Sequence, residues 1–574
     1  MSEKMRRNNC FGQGLWLCLS IAALASLAGL MACTLQVPAN LLDKIDGSVT
    51  VTNLKNANSG FVGDLYSGVV AGTLAEGAAS AKVSFDDLPF EAALVNVNKW
   101  RAFRPTGSAA SQGHRHWQPG SRHRLRVRPC NSAGDCKRET IDVTFTVQEN
   151  RDVNGDGYAD LAVATGAEGK AYIFESQGGL GIASANDINA KTILTGLGGQ
   201  FGFSVSLGDV NGDGYADLAV GDLISRDAHI FHSQGKDGIL TGTSATANSK
   251  ITSSVGSSSF GYKVLLSDIN GDGFADLIVG SPGEATSMGK AYIFHSRGAS
   301  GIVTGNETLA DTSITGTTVT GSLSNVFAAG DLNGDGFSDI TFGVPTQGGN
   351  LGRAIIFHSS GANGIASGLD TSATRAIDGT VPSGEFGRAL DMGDTNGDEI
   401  EDLAVSGRGA VYMFHAQFSG GVTASFDSDA THALTKTPVA DFGAVIALGD
   451  ITGDGFADVA VSNPQDTSYQ GVVHIFHSSG TGGITSTTTA GAATALTGIG
   501  SDYNAGIALG YFDANGDGIA DLAIGSWGGA DGDGVAAVFH GSQPAGIASG
   551  SLLGANATLT TTLTASGIVF GSGF

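Results

Sequence analysis

The twelve residues DVNGDGYADLAV stand at 152–163 and again, unchanged, at 209–220. Near-copies open at 268 (DINGDGFAD), 331 (DLNGDGFSD), 394 (DTNGDEIED), 450 (DITGDGFAD) and 513 (DANGDGIAD), at spacings of 57, 59, 63, 63, 56 and 63 residues. A second element follows each copy, in order AYIFESQGGLGI, AHIFHSQGKDGI, AYIFHSRGASGI, AIIFHSSGANGI, VYMFHAQFSGGV, VHIFHSSGTGGI and AAVFHGSQPAGI. A third, Phe-Gly, lies eight residues ahead of the first Asp: Phe201-Gly202, Phe260-Gly261, Phe386-Gly387 and Phe442-Gly443, with Leu323-Ser324 and Ala505-Gly506 in the matching places of two other units. Three markers in fixed order at one period define a repeat array. At 574 residues the chain is too long for one ordinary core.

Each unit reads as strands. DLAVG, AYIFHS and FGFSVSLGD are short apolar or alternating runs separated by Gly, Ser, Thr and Asp. No long 3.6-residue periodicity interrupts them, and Thr, Val, Ile and Phe suit a pleated sheet. Three or four strands per unit, seven times over, fit a ring of blades or a parallel solenoid. The ring is preferred, because it leaves only short protected edges whereas a linear array needs caps at both ends. The expected fold is all-β: a seven-bladed β-propeller over 149–574, preceded by a small β-sandwich over 38–148. Position 144, where the first copy should have its Phe-Gly, is Thr, while Phe570-Gly571 stands spare near residue 574. Pairing 568–574 with the blade that starts near Asp160 would therefore close the ring. The alternative is that IDVTFTVQ at 141–148 supplies that strand locally.

The acid loop has the spacing of a calcium site. In the first copy Asp152, Asn154, Asp156 and Asp160 fall at positions one, three, five and nine, with the Tyr158 carbonyl at position seven. Calcium takes about six to eight oxygens, and a tight loop offers them from alternate residues plus a main-chain carbonyl. Gly155 and Gly157 permit the positive φ that wraps such a loop. Without an ion the three carboxylates would repel one another. The later sets are Asp209, Asn211, Asp213, Tyr215 and Asp217; Asp268, Asn270, Asp272, Phe274 and Asp276; Asp331, Asn333, Asp335, Phe337 and Asp339. Then come Asp394, Asn396, Asp398, Ile400 and Asp402; Asp450, Thr452, Asp454, Phe456 and Asp458; Asp513, Asn515, Asp517, Ile519 and Asp521. All seven copies keep all three aspartates, which favours up to seven calcium ions over a bare Asp/Gly surface turn. An EF-hand is excluded: its position twelve needs Glu, and here Val163 lies in a strand pattern. Glu399 replaces the second Gly and Thr452 replaces Asn, so the sites at 394 and 450 should be the weakest.

Charge agrees. Only 15% of residues are charged, yet the formal net charge is −25. That balance argues against nucleic acid as partner and for a cation. At the N-terminus Lys4, Arg6 and Arg7 precede an apolar run from Leu15 to Ala32, the pattern of an export signal over 1–32. A retained membrane anchor is the alternative. Leu30-Met31-Ala32-Cys33 resembles the bacterial lipoprotein box, which implies lipid on Cys33; Thr34 in place of Asp then implies the outer membrane. Removing 1–32 takes away Lys4, Arg6, Arg7 and Glu3 and leaves −27; seven calcium ions would return fourteen charges and leave −13. Cys10 and Cys18 leave with the signal. Cys130 and Cys136 remain, an even pair in an exported chain, which reads as a disulfide, with a reactive thiol as the alternative.

Phe-Gly, the acid loop DxNGDGxxD, then DLAVG with Ser281-Pro282 in the place of a Gly-Ala-Pro element, resembles the FG-GAP repeat of integrin α-subunits and many bacterial surface proteins. The resemblance covers 150–574. It implies a seven-bladed propeller with calcium-bearing loops on one face and partner sites on other loops. No inserted adhesion domain or C-terminal membrane helix is seen, so integrin-type ligand recognition is not implied. Upstream, GSRHRLRVRPCNSAGDCKRETIDVTFTVQ resembles the closing strands of a fibronectin type III or immunoglobulin-like sandwich. Between Arg101 and Arg128 lie seven arginines and three histidines without an acid. That is an anionic glycan or headgroup patch, or the solvated face of an alternating strand, the latter preferred.

His232, His295, His358, His415, His477 and His540 recur at one place, with Glu175 in the first copy. One per unit suits structural hydrogen bonding better than a single active site. No GxSxG, HExxH or P-loop pattern occurs, and no catalytic residue is assigned. The expectation is a calcium-loaded, lipid-anchored surface propeller that binds a protein or glycan ligand, displayed at the bacterial outer membrane or cell surface (alternatively secreted or periplasmic). Alternatives are a polysaccharide lyase or hydrolase on the same scaffold and a purely structural envelope protein.

Overall fold

The computed structural model describes residues 49–51, 59–65, 69–74, 78–85, 90–96, 99–103, 122–134, 136–137, 141–148, 150–166, 168–198, 200–437, 441–500, 504–527 and 534–560. The export signal, Cys33 and the proposed closing strand at 568–574 lie outside the described residues.

Ahead of the repeats stand two sheets. Val49–Val51, Val69–Leu74, Lys99–Phe103 and Leu94–Asn96 form one; Ser59–Leu65, Ile141–Val147, Arg122–Cys130, Ser80–Phe85 and Glu91–Ala92 form the other. In Arg122–Cys130 the pleat turns His123, Leu125, Val127 and Pro129 inward, while Arg124 is exposed and Arg126 and Arg128 are half-buried. Arg124 is already tied to Asp142 through two bonds of 2.7 Å, and Arg128 lies over the Phe90 ring at 3.7 Å. These arginines of the strand are engaged within the protein, while 104–121 of the arginine-rich stretch lie outside the described residues. Cys130 and Cys136 are joined, with sulfurs 1.99 Å apart. The strand Ile141–Val147 has partners on both edges, Ser59–Leu65 and Arg122–Cys130. It is therefore not the opening strand of the first repeat.

From Leu161 onward the described residues form seven successive sheets. The second is typical: Phe201–Gly208, Asp217–Asp222, Asp227–Phe231 and Ser249–Thr252 pair antiparallel in chain order. Its second and third strands, DLAVGD and DAHIF, are buried throughout because each faces a neighbouring sheet on both sides. That explains their unbroken apolar runs. The outer strand SKIT alternates buried and open. The first sheet starts at its second strand, Leu161–Thr165.

The sheets pack face to face as the blades of a β-propeller. One apolar cluster joins Ile173 and Leu194 to Phe201 and Val220. Others join the second sheet to the third, the third to the fourth, the fourth to the fifth and the fifth to the sixth. The last holds residues of the sixth, the seventh and the first together: Val473, Ile524 and Leu559 with Leu161, Tyr172 and Phe174. Ala185–Asn186 adds a short parallel strand to Ala557–Thr560, so backbone pairing also bridges the seventh sheet and the first repeat. The Phe of each Phe-Gly is the anchor of these clusters. Phe201, Phe260, Phe386 and Phe442 are buried, and Phe201, Phe386 and Phe442 meet His229, Tyr412 and His474 edge-on. The following glycine must be glycine: Gly202 has φ +79°, and a Cβ would strike the Lys170 carbonyl. Ser324 takes the same left-handed backbone, φ +73°, and holds it by donating its hydroxyl to the Lys290 carbonyl and accepting from Ser281 N. Among the described residues no helix is long and apolar enough to cross a membrane.

Candidate metal-binding loops

Six of the acid loops join the first and second strands of their sheets, and the loop at 152–160 leads into the second strand of its own; all seven share one set of turns and hydrogen bonds. The position-one carboxylate is the hub. Asp209 accepts from Gly212 N and Gly214 N at 2.6 and 2.8 Å, and Asp268, Asp331 and Asp513 do the same in their loops. Asn211 Oδ1 accepts from Asp213 N at 2.9 Å, and Asp213 Oδ1 accepts from Tyr215 N at 3.0 Å. Position nine clamps the loop to the sheet: Asp217 Oδ2 accepts from Val210 N, and its Oδ1 accepts from Ser233 N beyond the third strand. The same clamp recurs at Asp160, Asp276, Asp339, Asp402, Asp458 and Asp521. Glycines supply the left-handed φ at positions four and six, +68° at Gly155 and +96° at Gly157.

The two irregular loops differ where the sequence said they would. Glu399 occupies position six with φ +69° and still donates to Asp394 Oδ2 at 2.9 Å. Thr452 has no amide oxygen to receive Asp454 N, and its hydroxyl instead turns to Asp450 at 3.3 Å.

Neighbouring loops are linked in series. Ala216 N donates to the Asp152 carbonyl and Ala275 N to the Asp209 carbonyl, and Ala159 N donates to the Asp513 carbonyl across the seam between last and first repeats. The serine after the third strand adds a second link. Ser233 Oγ donates to the Val153 carbonyl, Ser296 to Val210, Ser359 to Ile269, Ser478 to Thr395 and Ser176 to Ala514, at 2.5–2.7 Å.

Burial dominates the electrostatics of the position-nine carboxylates. The position-nine aspartates are almost wholly buried, and among the described residues their only ion-pair contacts are histidine Nε2 atoms: His295 at 3.9 Å from Asp276, His358 at 3.8 Å from Asp339, His415 at 3.9 Å from Asp402. Loss of hydration, with Asp331 and Asp335 beside it, pushes the Asp339 carboxyl up to about 9. Loss of hydration chiefly, opposed by hydrogen bonds and reinforced by neighbouring carboxylates, pushes Asp402 to about 7 and Asp209 and Asp450 to about 6. Asp156 rises to about 7 through burial, then Asp152 and Glu175.

Among the described residues no three His, Cys, Asp or Glu side chains converge as a metal cluster; the carboxylate oxygens are turned onto loop N–H groups. Each carboxylate nevertheless keeps lone pairs beyond those bonds. Every loop offers three carboxylates, an amide or hydroxyl oxygen and the position-seven carbonyl, all hard donors. A hard divalent cation fits that set and would offset the charge that burial penalises.

The histidines depart from expectation. The Nε2 atoms of His232, His295, His358, His415, His477 and His540 are buried and make no hydrogen bond. Each ring instead abuts a glycine of the following repeat: a Cβ on Gly301, Gly364, Gly421, Gly483 or Gly546 would lie 2.5–2.9 Å from the imidazole Nε2 of the repeat before it, and His540 meets Gly181 across the seam. The Gly that ends each second element is thus required by its neighbour's side chain. The sequence reading named the histidine and passed over the serine beside it, although the serine recurs in five of the seven copies.

Comparison with known proteins matches this chain to the FG-GAP-like repeat over residues 152–220 and to the FG-GAP repeat over 260–294, 325–357 and 442–476. It is similar to integrin alpha-8 of Mus musculus, 33% identical over 235 residues, covering 38% of this chain and 20% of that protein. It is also similar to phosphatidylinositol-glycan-specific phospholipase D of Rattus norvegicus, 31% identical over 172 residues, 27% of this chain and 20% of that protein. The chain therefore spans about a fifth of the length of these relatives. A solved structure titled the Dos1 propeller covers 66% of this chain and 81% of its own at 13% identity and a TM-score of 0.35, too remote to argue from.

Proposed function

We propose that this chain, which carries FG-GAP repeats, is a calcium-binding seven-bladed β-propeller that serves as a binding or adhesion module on a bacterial surface, anchored by lipid on Cys33. The observation that carries the calcium assignment is the set of seven like-folded loops whose buried position-nine carboxylates have no Lys or Arg against them among the described residues. A propeller with ions at the acid-loop end keeps that end rigid and leaves the loops of the other end to meet a protein or glycan. Similarity to integrin alpha chains supports the binding-module reading. In this reading the strand at 568–574 completes the first blade and residues 38–148 form a β-sandwich.

Elemental analysis of purified protein tests the assignment: several calcium ions per chain are expected, and a folded, metal-free chain overturns it. A second reading, an enzyme on the same scaffold, draws on the similarity to the phospholipase D. A glycan array followed by product analysis separates the two. Retention without cleavage supports the module; new oligosaccharide ends support the enzyme.

A further inference from the structure

The position-seven side chain leaves its own acid loop and covers the loop of the repeat before. A Cβ on Gly155 would lie 2.3 Å from the Tyr215 ring, one on Gly212 2.0 Å from Phe274 and one on Gly397 2.3 Å from Phe456. Those glycines hold position four of the preceding loop. One residue later the backbone reaches the same neighbour: at six junctions, the seam included, the position-eight N–H donates to the preceding position-one carbonyl, as Ala275 N does to Asp209.

The cover is kept even where the ring is lost. Five repeats have Tyr or Phe at position seven and glycine three residues after the histidine's place: Gly178, Gly235, Gly298, Gly361 and Gly480. A Cβ on each of these would lie 3.3–3.8 Å from that repeat's own ring, so a large side chain there would collide with it. In the other two repeats position seven is Ile400 or Ile519, and the glycine is replaced by Phe418 or Gln543. Phe418 comes within 2.9 Å of a Cβ on Gly334, and Gln543 Nε2 donates to the Gly453 carbonyl at 2.9 Å. Both glycines are position four of the loop before. A second side chain of the same repeat thus takes over the contact that the smaller residue gives up.

Resting on the calcium reading above, we propose that the seven loops take up cations cooperatively, each loop bracing the one before it through positions seven and eight. Position seven offers its carbonyl to its own loop, while its side chain, or the Phe418 or Gln543 that substitutes for it, holds the neighbour's turn. Binding that orders a loop is opposed by the entropy of that ordering, and a loop already held by its neighbour loses less. Coupling of this kind is reciprocal and typically changes affinity by about 5- to 150-fold. The bond from Ala159 N to the Asp513 carbonyl carries it across the seam, so the series of loops has no free end there.

The test is a calcium titration of chelator-treated full-length protein, followed by calorimetry for total uptake and by hydrogen exchange for each loop. In wild type, protection of the loops should rise together and more steeply than a single-site curve. Tyr215→Ala leaves every donor oxygen in place; it should raise the calcium midpoint for protection at 152–160, a loop to which it does not belong, by about fivefold or more. Tyr215→Phe, which keeps the ring, should leave that midpoint unchanged. Phe418→Gly, made at a side chain that is 74% exposed and so of little weight in folding, should raise the midpoint at 331–339 in the same way. Uptake that follows independent sites, or either Tyr215→Ala or Phe418→Gly leaving the preceding loop's midpoint unmoved, overturns the proposal while the calcium reading stands. A protein that takes up no calcium at any loop overturns the calcium reading itself, and this proposal with it.

Discussion

The two ends of each sheet are built under different rules. At the acid-loop end, positive φ is given almost entirely to glycine; of nineteen described non-glycine residues with left-handed φ, only Glu399 and Ser419 lie there. The other seventeen lie in the loops of the opposite end, between second and third strands or between one repeat and the next. Three of those loops contain short left-handed turns: Ala285–Ser287, Thr467–Tyr469 and Gly348–Asn350. Left-handed backbone at a residue with a Cβ costs roughly 1–2 kcal/mol. One end thus repeats a single relaxed geometry seven times; the other varies from repeat to repeat and carries local strain. Strain of this kind gathers at recognition and switch regions. The difference teaches that the repeat fixes the acid-loop end and leaves the opposite end free to vary.

Chelation should break the comparison most visibly. Seven sites loaded well above their dissociation constants would add several kcal/mol to stability, so EGTA should lower the melting temperature by about 10 °C or more. Hydrogen exchange should then rise at 152–160 and its six counterparts and stay nearly constant at 284–288.

The pH response of chelated protein should come next. Asp339 has a folded pKa of about 9, above its unfolded value. Its burial is harmless below about pH 4, where folded and unfolded states are both protonated, and grows costly as pH climbs toward 9. In EGTA the melting temperature should therefore be higher at pH 5 than at pH 8. With calcium the order should reverse, because ion binding requires the deprotonated form. A chelated protein that gains stability between pH 5 and 8 would show these carboxylates to be otherwise compensated.

Asp339→Ala should cost about 2–4 kcal/mol, since Leu332 N and Ser359 N lose their acceptor in a buried setting. Urea titration checks this. Glu399→Gly should do the reverse and stabilise by up to about 1 kcal/mol, restoring the residue that the other six loops use. It should also strengthen ion uptake at that loop. Smallest is Ser324→Gly: relief of the backbone is offset by the lost bonds to Ser281 N and the Lys290 carbonyl, and stability should change by about 0.5 kcal/mol or less.

Legibility in the sequence follows the same divide. The repeat, its strands and the hub-and-clamp loops could be read because each copy confirms the others and glycine marks every turn. The left-handed turns could not: EATS and DTSY contain no glycine, and only tertiary packing holds them there. The histidines were visible, but their partner was not, since a glycine 69 residues away in the case of His232 leaves no local pattern. Position nine read as a ligand alone; that Asp217 also fastens its loop to Ser233 depends on a third strand folding back. The alternation of arginines at 122–128 was legible as a strand face, but their partners were not, since Asp142 and Phe90, which meet Arg124 and Arg128, lie on other strands or loops.

The joint between Ser176 and the Ala514 carbonyl is made of the same bond as its counterparts between consecutive repeats. What distinguishes it is that no peptide bond runs alongside. Among the described residues, first and last repeats are therefore held by side chains and hydrogen bonds alone: this bond, the Ala185–Asn186 pairing with Ala557–Thr560, and the apolar cluster that spans the seam must together do what chain connectivity does elsewhere.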